Sequence, residues 1–175
     1  MNIRVSVEGR LLHISTLVSI LGEVPIHTPK TIAMNTQKFL VSGLVGGIVS
    51  FFAGYLIYGV LLMDFFTKNA GSATGVNRPT TEMIWWALIA GSIFWGLMYS
   101  YIFNRWANIV TLGGGMMAGF VIGLLMMAGF DLTMYATSNL MNLTGTIADI
   151  ICGAVMGALT GGAVGLMNGV GRKTA

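Results

Sequence analysis

The sequence predicts an all-α fold, an integral membrane four-helix bundle in which the third and fourth spans pack through a glycine zipper. Charged residues make up 9% of the 175 residues and hydrophobic ones 55%, whereas a soluble domain carries about 25% charge. Four windows lack Asp, Glu, Lys and Arg: 39–63, 83–104, 106–130 and 150–171. At about 1.5 Å of rise per residue, each is long enough to cross a hydrocarbon core about 30 Å thick.

Regularly spaced glycines predict which two spans pack together. They recur every fourth residue in the fourth window and in the third, as Gly153, Gly157, Gly161, Gly165, Gly169, and as Gly115, Gly119, Gly123. Small residues at this spacing line one side of a membrane helix and allow another backbone to approach closely. We therefore expect the two spans to pack antiparallel, with Gly119 at about the depth of Gly161 or Gly165. The alternative is a glycine-lined contact between copies of the chain, which makes a homo-oligomer a candidate assembly.

The basic residues predict the orientation in the membrane. With the N-terminus in the cytoplasm, the basic residues near the membrane on the inner side are Lys38, Arg105, Arg172 and Lys173. Only Lys68 and Arg78 then lie outside, which is the bias expected for a multi-pass protein of a bacterial inner (plasma) membrane. An even number of spans returns the C-terminus to the cytoplasm. A formal charge of +3, spread along the chain, predicts the lipid bilayer as partner and no nucleic acid.

The first 33 residues differ from the rest, with two of the three prolines and a short apolar run. A signal peptide is one interpretation, but Glu8 and the lack of a clear small-residue cleavage site weigh against it. We favour a start at Met34, which makes 1–33 a doubtful N-terminal extension and 34–175 the four-span membrane domain.

Four carboxylates are the only acids after Met34: Asp64, Glu82, Asp131 and Asp149. The predicted orientation places all four on the outer side, and they form the candidate cation or proton site. Asp131 and Asp149 are the most informative pair, because helices that extend to about Tyr135 and back to about Gly145 place both roughly one turn inside the bundle.

Three interpretations of the acids compete. In the structural one, Lys68 and Arg78 neutralise them while nearby polar residues supply hydrogen bonds, namely Asn139, Asn142, Thr133 and Thr144. In the second, they bind a cation or proton at the outer mouth of the bundle. In the third, Asp131 and Asp149 are a catalytic pair like that of intramembrane aspartyl proteases. The Gly-x-Gly-Asp signature of those enzymes is absent at both positions.

Other chemistries lack the residues they need. The two histidines, His13 and His27, lie in the doubtful extension, so the membrane domain has none for a serine nucleophile, a haem or a zinc site. Cys152 is the single cysteine, so there is neither a disulfide nor a cysteine-based metal site. The sequence predicts no enzyme, no cofactor and no metal.

Several short motifs resemble a domain-of-unknown-function family of small bacterial four-span integral membrane proteins, in versions typical of Bacteroidetes. They are GYLIYGVLLMDFF at 54–66, WWAL at 85–88, NRWAN at 104–108 and GFDL at 129–132. The resemblance covers about 34–171. It implies a bacterial inner-membrane location and brings no activity, ligand or catalytic residue.

Our expectation for function is therefore a small accessory or structural membrane protein. The alternative is a small transporter or channel with a carboxylate site at the outer mouth of the bundle, and an intramembrane aspartyl enzyme is a distant third.

Overall fold

The computed structural model describes residues 35–171, and this part of the chain is helical with no β-strand. Its α-helices are α1 (Thr36–Gly54), α2 (Met63–Lys68), α3 (Trp85–Ile102), α4 (Leu112–Thr137) and α5 (Leu143–Gly169). Two of them continue as π-helix, α1 over Tyr55–Leu61 and α3 over Phe103–Ala107, and a 3₁₀ turn lies at Thr80–Glu82. Predictions about residues 1–33 fall outside the described residues, as do Arg172 and Lys173.

Four helices are long and apolar enough to cross a membrane, as the sequence predicts: Thr36–Leu61, Trp85–Ala107, Leu112–Thr137 and Leu143–Gly169. The last two extend into the segment 132–148, which the composition predicts to be too polar for a fifth span. The two helices are separated within that segment by residues 138–142, and the Asn142 side chain caps α5 by accepting a hydrogen bond from the Gly145 amide (2.9 Å). The all-helical fold and the multi-pass architecture are thus confirmed.

The fifth helix lies at the centre of the bundle. It packs against α1, α3 and α4, and half of its most apolar window is buried, compared with 22% to 28% in the other spans. Much of the outward surface consists of large apolar side chains such as Leu40, Phe94 and Leu125. Such a surface is expected where a helix faces lipid rather than water.

The backbones of α4 and α5 lie close together at the predicted glycines. A Cβ atom built on Gly115, Gly119 or Gly123 would lie less than 3.0 Å from the backbone of α5. The nearest α5 atoms belong to Gly161 for the first, Gly157 for the second and Gly153 for the third. Gly119 therefore lies opposite Gly157 and Gly161, which agrees with the expected depth of Gly161 and not with that of Gly165. Gly165 and Gly169 instead face the backbone that leads into α4, at Thr111 and Val110.

Glycines also bring α1 close to α3. A Cβ on Gly96 of α3 would lie less than 3.0 Å from the backbone of Gly43, Gly46 and Gly47, and a Cβ on Gly47 would meet the backbone of Ile93. The bundle therefore consists of two tightly packed antiparallel pairs, α1 with α3 and α4 with α5, and α5 also packs on α1.

Candidate functional site

The structure brings two of the four predicted carboxylates together. Asp131 of α4 and Asp149 of α5 line one cavity of about 120 Å³, together with the Thr146 side chain. Asp64 and Glu82 do not line this cavity, and both are exposed in the connection between α1 and α3. The candidate site thus reduces from four acids to one pair, at what we call the carboxylate end of the bundle.

Asp131 is buried and incompletely bonded. Only 3% of the residue is exposed, and its Oδ2 atom has no hydrogen-bond partner among the described residues. A carboxylate oxygen in a low-dielectric interior is costly unless it is hydrogen-bonded, paired with a positive charge or protonated. A proton or a cation at Asp131 would therefore stabilise the protein.

Asp149 has a defined partner, the hydroxyl of Tyr58. That hydroxyl donates to Asp149 Oδ1 at 2.5 Å across α1 and α5. Tyr58 lies in the π-helical continuation of α1, and π-helical turns occur often at functional sites. Sequence reasoning misses Tyr58, although a tyrosine near the carboxylate end of the first span is a signal that could find it.

Among the described residues, the basic and polar ones expected to neutralise the acids do not bond Asp131 or Asp149. Lys68 and Arg78 are exposed, and within residues 35–171 neither forms a salt bridge with Asp131 or Asp149. The Asn142 side chain caps α5 and donates to Asn69 Oδ1 (3.1 Å), while Thr133 donates to the carbonyl oxygen of Gly129 (2.7 Å). The expected neutralisation is therefore not found in the described part of the chain.

A second polar cluster lies at the opposite end of the bundle, which we call the amide end. Asn104 donates to Asn168 Oδ1 (3.0 Å), and Asn168 donates to the carbonyl oxygen of Ile109 (3.2 Å). The Ser42 and Ser100 hydroxyls are 2.8 Å apart, and Ser100 also bonds the carbonyl oxygen of Phe39. Each of these side chains, of which Ser42, Ser100 and Asn168 are buried and Asn104 is half-buried, has a hydrogen-bond partner, which is the usual state of polar groups in a protein interior.

Between the two ends lies a central cavity of about 220 Å³ with side chains from all four spans. Tyr58 lines it from the carboxylate end and Tyr99 lies in its wall. Ser50 and Thr160 also line it, and both residues are buried. Tyr58 therefore contacts both regions, since its ring lines the central cavity while its hydroxyl bonds Asp149.

In the described residues, no group of three or more His, Cys, Asp or Glu side chains is placed to hold a metal ion. Cys152 is buried and free, as expected for a small packing residue. No protein-family model, curated protein or solved structure matches the chain.

Proposed function

We propose that this protein is a small membrane transporter or channel that takes up a proton between Asp131 and Asp149. The observation that carries the proposal is the Asp131 Oδ2 atom, which is buried within a cavity-lining residue and lacks a hydrogen-bond partner among the described residues. The sequence alone favours an accessory or structural role and offers the transporter or channel as the alternative; the buried carboxylate is the reason to prefer that alternative.

The site has two acidic side chains and, within the described part of the chain, no positive charge to balance them. Two carboxylates line one cavity, and neither is paired with a basic side chain in the described residues. Two like charges in one low-dielectric site are unfavourable, so such pairs tend to share a proton. Ionisable groups inside membrane spans commonly mark ion or proton pathways for the same reason.

A proton fits this site better than a divalent metal ion. Ca²⁺ takes six to eight oxygen ligands and Mg²⁺ demands near-octahedral geometry, whereas only two acids converge here. Tyr58 already uses its hydroxyl proton to bond Asp149 Oδ1, which leaves Asp131 as the group that accepts the added proton. A monovalent metal cation such as Na⁺ is the competing ligand of the same charge, and the experiment separates the two.

The test is flux into liposomes that contain the purified full chain. A pH-sensitive dye inside the vesicles reports proton entry driven by a potassium-diffusion potential, and radioactive sodium reports Na⁺ entry. We expect proton flux in the wild type, and its loss in Asp131→Asn and Asp149→Asn with unchanged helix content and size. Asp64→Asn is the matched control, because that acid is exposed and outside the cavity.

Three results contradict the proposal. Sodium flux without proton flux assigns the site to the other cation. Proton flux that persists in both cavity variants removes the carboxylates from the pathway. A wild type that carries neither ion, with variants that change only stability, returns the protein to the accessory or structural role.

The glycine zipper belongs to the same proposal. The close approach of α4 and α5 at Gly115, Gly119 and Gly123 supports glycine packing as the contact that sets the spacing of the two carboxylate-bearing helices. A homo-oligomer stays a prediction, and cross-linking of the purified chain in mild detergent tests it.

We also propose that the chain lies in a bacterial inner membrane with both termini in the cytoplasm, and that it belongs to the small four-span family which it resembles. Lys38 and Arg105 at the amide end support this orientation, against Lys68 and Arg78 beyond the carboxylate end. Labelling single cysteines at Ser72 and at Asn108 with an impermeant thiol reagent, in a Cys152→Ala chain, tests it. Labelling of position 108 but not 72 in intact cells contradicts the orientation.

A further inference from the structure

We infer that the central cavity is a binding site for a small, uncharged solute that carries a hydrogen-bonding group. The cavity of about 220 Å³ lies near the middle of all four spans, with Ser50, Trp95, Met127 and Thr160 among its lining residues. The inference that this solute is transported rests on the proposed function, whereas the inference that it binds rests on the geometry of the cavity alone.

The hydroxyls of two buried residues indicate a ligand in the cavity. Ser50 is 5% exposed and Thr160 is 1% exposed, and neither makes a side-chain hydrogen bond within the described residues. Serine and threonine hydroxyls in helices usually bond a carbonyl oxygen of the preceding turn, as Ser92 does with Leu88. Ser50 and Thr160 leave this capacity unused, and both line the cavity.

The remaining lining defines the chemical class of the ligand. None of the lining residues carries a formal charge, so a charged solute would lose its hydration without gaining a counter-charge. The aromatic rings of Trp95 and Tyr99 and the methionines favour an apolar or polarisable body.

The volume limits the size of the solute. A cavity of about 150 Å³ accommodates benzene, so about 220 Å³ accommodates a molecule of that size with one additional polar group. A small alcohol, phenol or amide therefore fits, whereas a drug-sized ligand needs a larger pocket of roughly 300 Å³ or more.

Tyr58 links this cavity to the carboxylate pair. Its side chain lines the cavity, and its hydroxyl donates to Asp149. A solute against Tyr58 therefore contacts the same side chain that holds Asp149, which gives a direct route for coupling solute binding to proton binding.

The test uses Trp95 as an internal reporter. The chain has four tryptophans, and replacing Trp85, Trp86 and Trp106 with Phe leaves only Trp95, which lines the cavity and is itself 38% exposed. The probe is 2,2,2-tribromoethanol, which is uncharged, carries one hydroxyl and quenches tryptophan fluorescence through its bromine atoms. We expect quenching that saturates with probe concentration.

Matched variants connect the quenching to the two hydroxyls. The combined change Ser50→Ala and Thr160→Val removes both hydroxyls with little change of shape, and we expect about tenfold weaker binding from two lost hydrogen bonds. Ser50→Leu fills the cavity and should abolish saturable quenching. Ser92→Ala is the control, because that hydroxyl bonds its own helix and does not line the cavity.

Two results overturn the inference. Quenching that rises linearly and equally in all variants shows partition into detergent only. Saturable quenching by (2-bromoethyl)trimethylammonium but not by the uncharged probe assigns the cavity to an organic cation. The proton-flux assay separates this inference from the proposed function: flux without probe binding removes the solute site alone, and probe binding without flux removes the proposed transport alone.

Discussion

The two ends of the bundle differ in how their buried polar groups are satisfied. At the amide end, Ser100, Asn104 and Asn168 form a continuous hydrogen-bonded network that joins α1, α3 and α5. At the carboxylate end, Asp149 has the Tyr58 hydroxyl as a partner, but Asp131 Oδ2 has none among the described residues. Both ends are polar and buried, yet only one has its hydrogen bonds complete.

This difference separates a structural cluster from a candidate ligand site. A satisfied polar network fixes the relative positions of its helices and adds stability to a membrane bundle. An unsatisfied buried carboxylate lowers stability until a proton or cation reaches it. Mutations at the two ends are therefore expected to change stability in opposite directions.

The largest effect is expected from a mutation that separates α4 from α5. Gly119→Leu places a side chain where a Cβ alone would lie less than 3.0 Å from the backbone of α5. We expect α4 and α5 to separate, with a loss of about 3 kcal/mol or more in the free energy of unfolding, because backbone cannot repack around the added atoms. Denaturant titration in detergent measures the loss.

Gly129→Leu is the control on the same helix, since a Cβ there meets nothing within 4 Å. Equal stability of the two leucine variants would show that the α4–α5 contact does not need its glycines.

The next effect tests the amide end. Asn168→Ala removes the acceptor of Asn104 and the donor to Ile109. We expect a loss of about 1.5 kcal/mol in the free energy of unfolding, because two hydrogen bonds are lost and interhelical hydrogen bonds in membrane proteins contribute about 0.6 kcal/mol on average and at most about 1.7 kcal/mol. Thermal unfolding in detergent, beside Ser92→Ala as control, measures it. An unchanged melting temperature would mean that this network does not hold the bundle together.

At the carboxylate end, we expect a mutation to raise the free energy of unfolding. Asp131→Asn removes a buried charge whose Oδ2 atom has no partner in the described residues, so we expect a gain of about 1 kcal/mol at neutral pH. The same denaturant titration measures this gain. A loss as large as that of Asn168→Ala would show that Asp131 is satisfied in the membrane and that the two ends are alike.

The smallest effects are expected outside the bundle. Asp64 and Glu82 are exposed and line neither cavity, so Asp64→Asn and Glu82→Gln should each change the free energy of unfolding by less than about 0.5 kcal/mol. Proton flux in liposomes should also stay at the wild-type rate. A large fall in flux for either variant would extend the candidate site beyond Asp131 and Asp149.

The sequence predicts the fold well because membrane spans follow from local composition. An uncharged window of sufficient length can satisfy its backbone hydrogen bonds in lipid only as a helix, so the four spans can be found without knowing their neighbours. The last two helices continue past Asp131 and Asp149 into a polar segment, as far as Thr137 and back to Leu143, close to the ends expected at about Tyr135 and Gly145. Threonine side chains bond back to their own helix there, as Thr133 and Thr137 do in α4, so these polar residues do not end the helix.

The sequence by itself determined the all-helical class, the four spans, the glycine positions and the small set of acids after Met34. Only the tertiary structure decided which acids converge, that Tyr58 is the partner of Asp149, and that Ser50 and Thr160 line a central cavity. The physical reason is that span formation depends on the free energy of moving each window into lipid, which is a sum over neighbouring residues. The pairing of Asp131 with Asp149, and of Tyr58 with either, depends instead on how four helices rotate and pack.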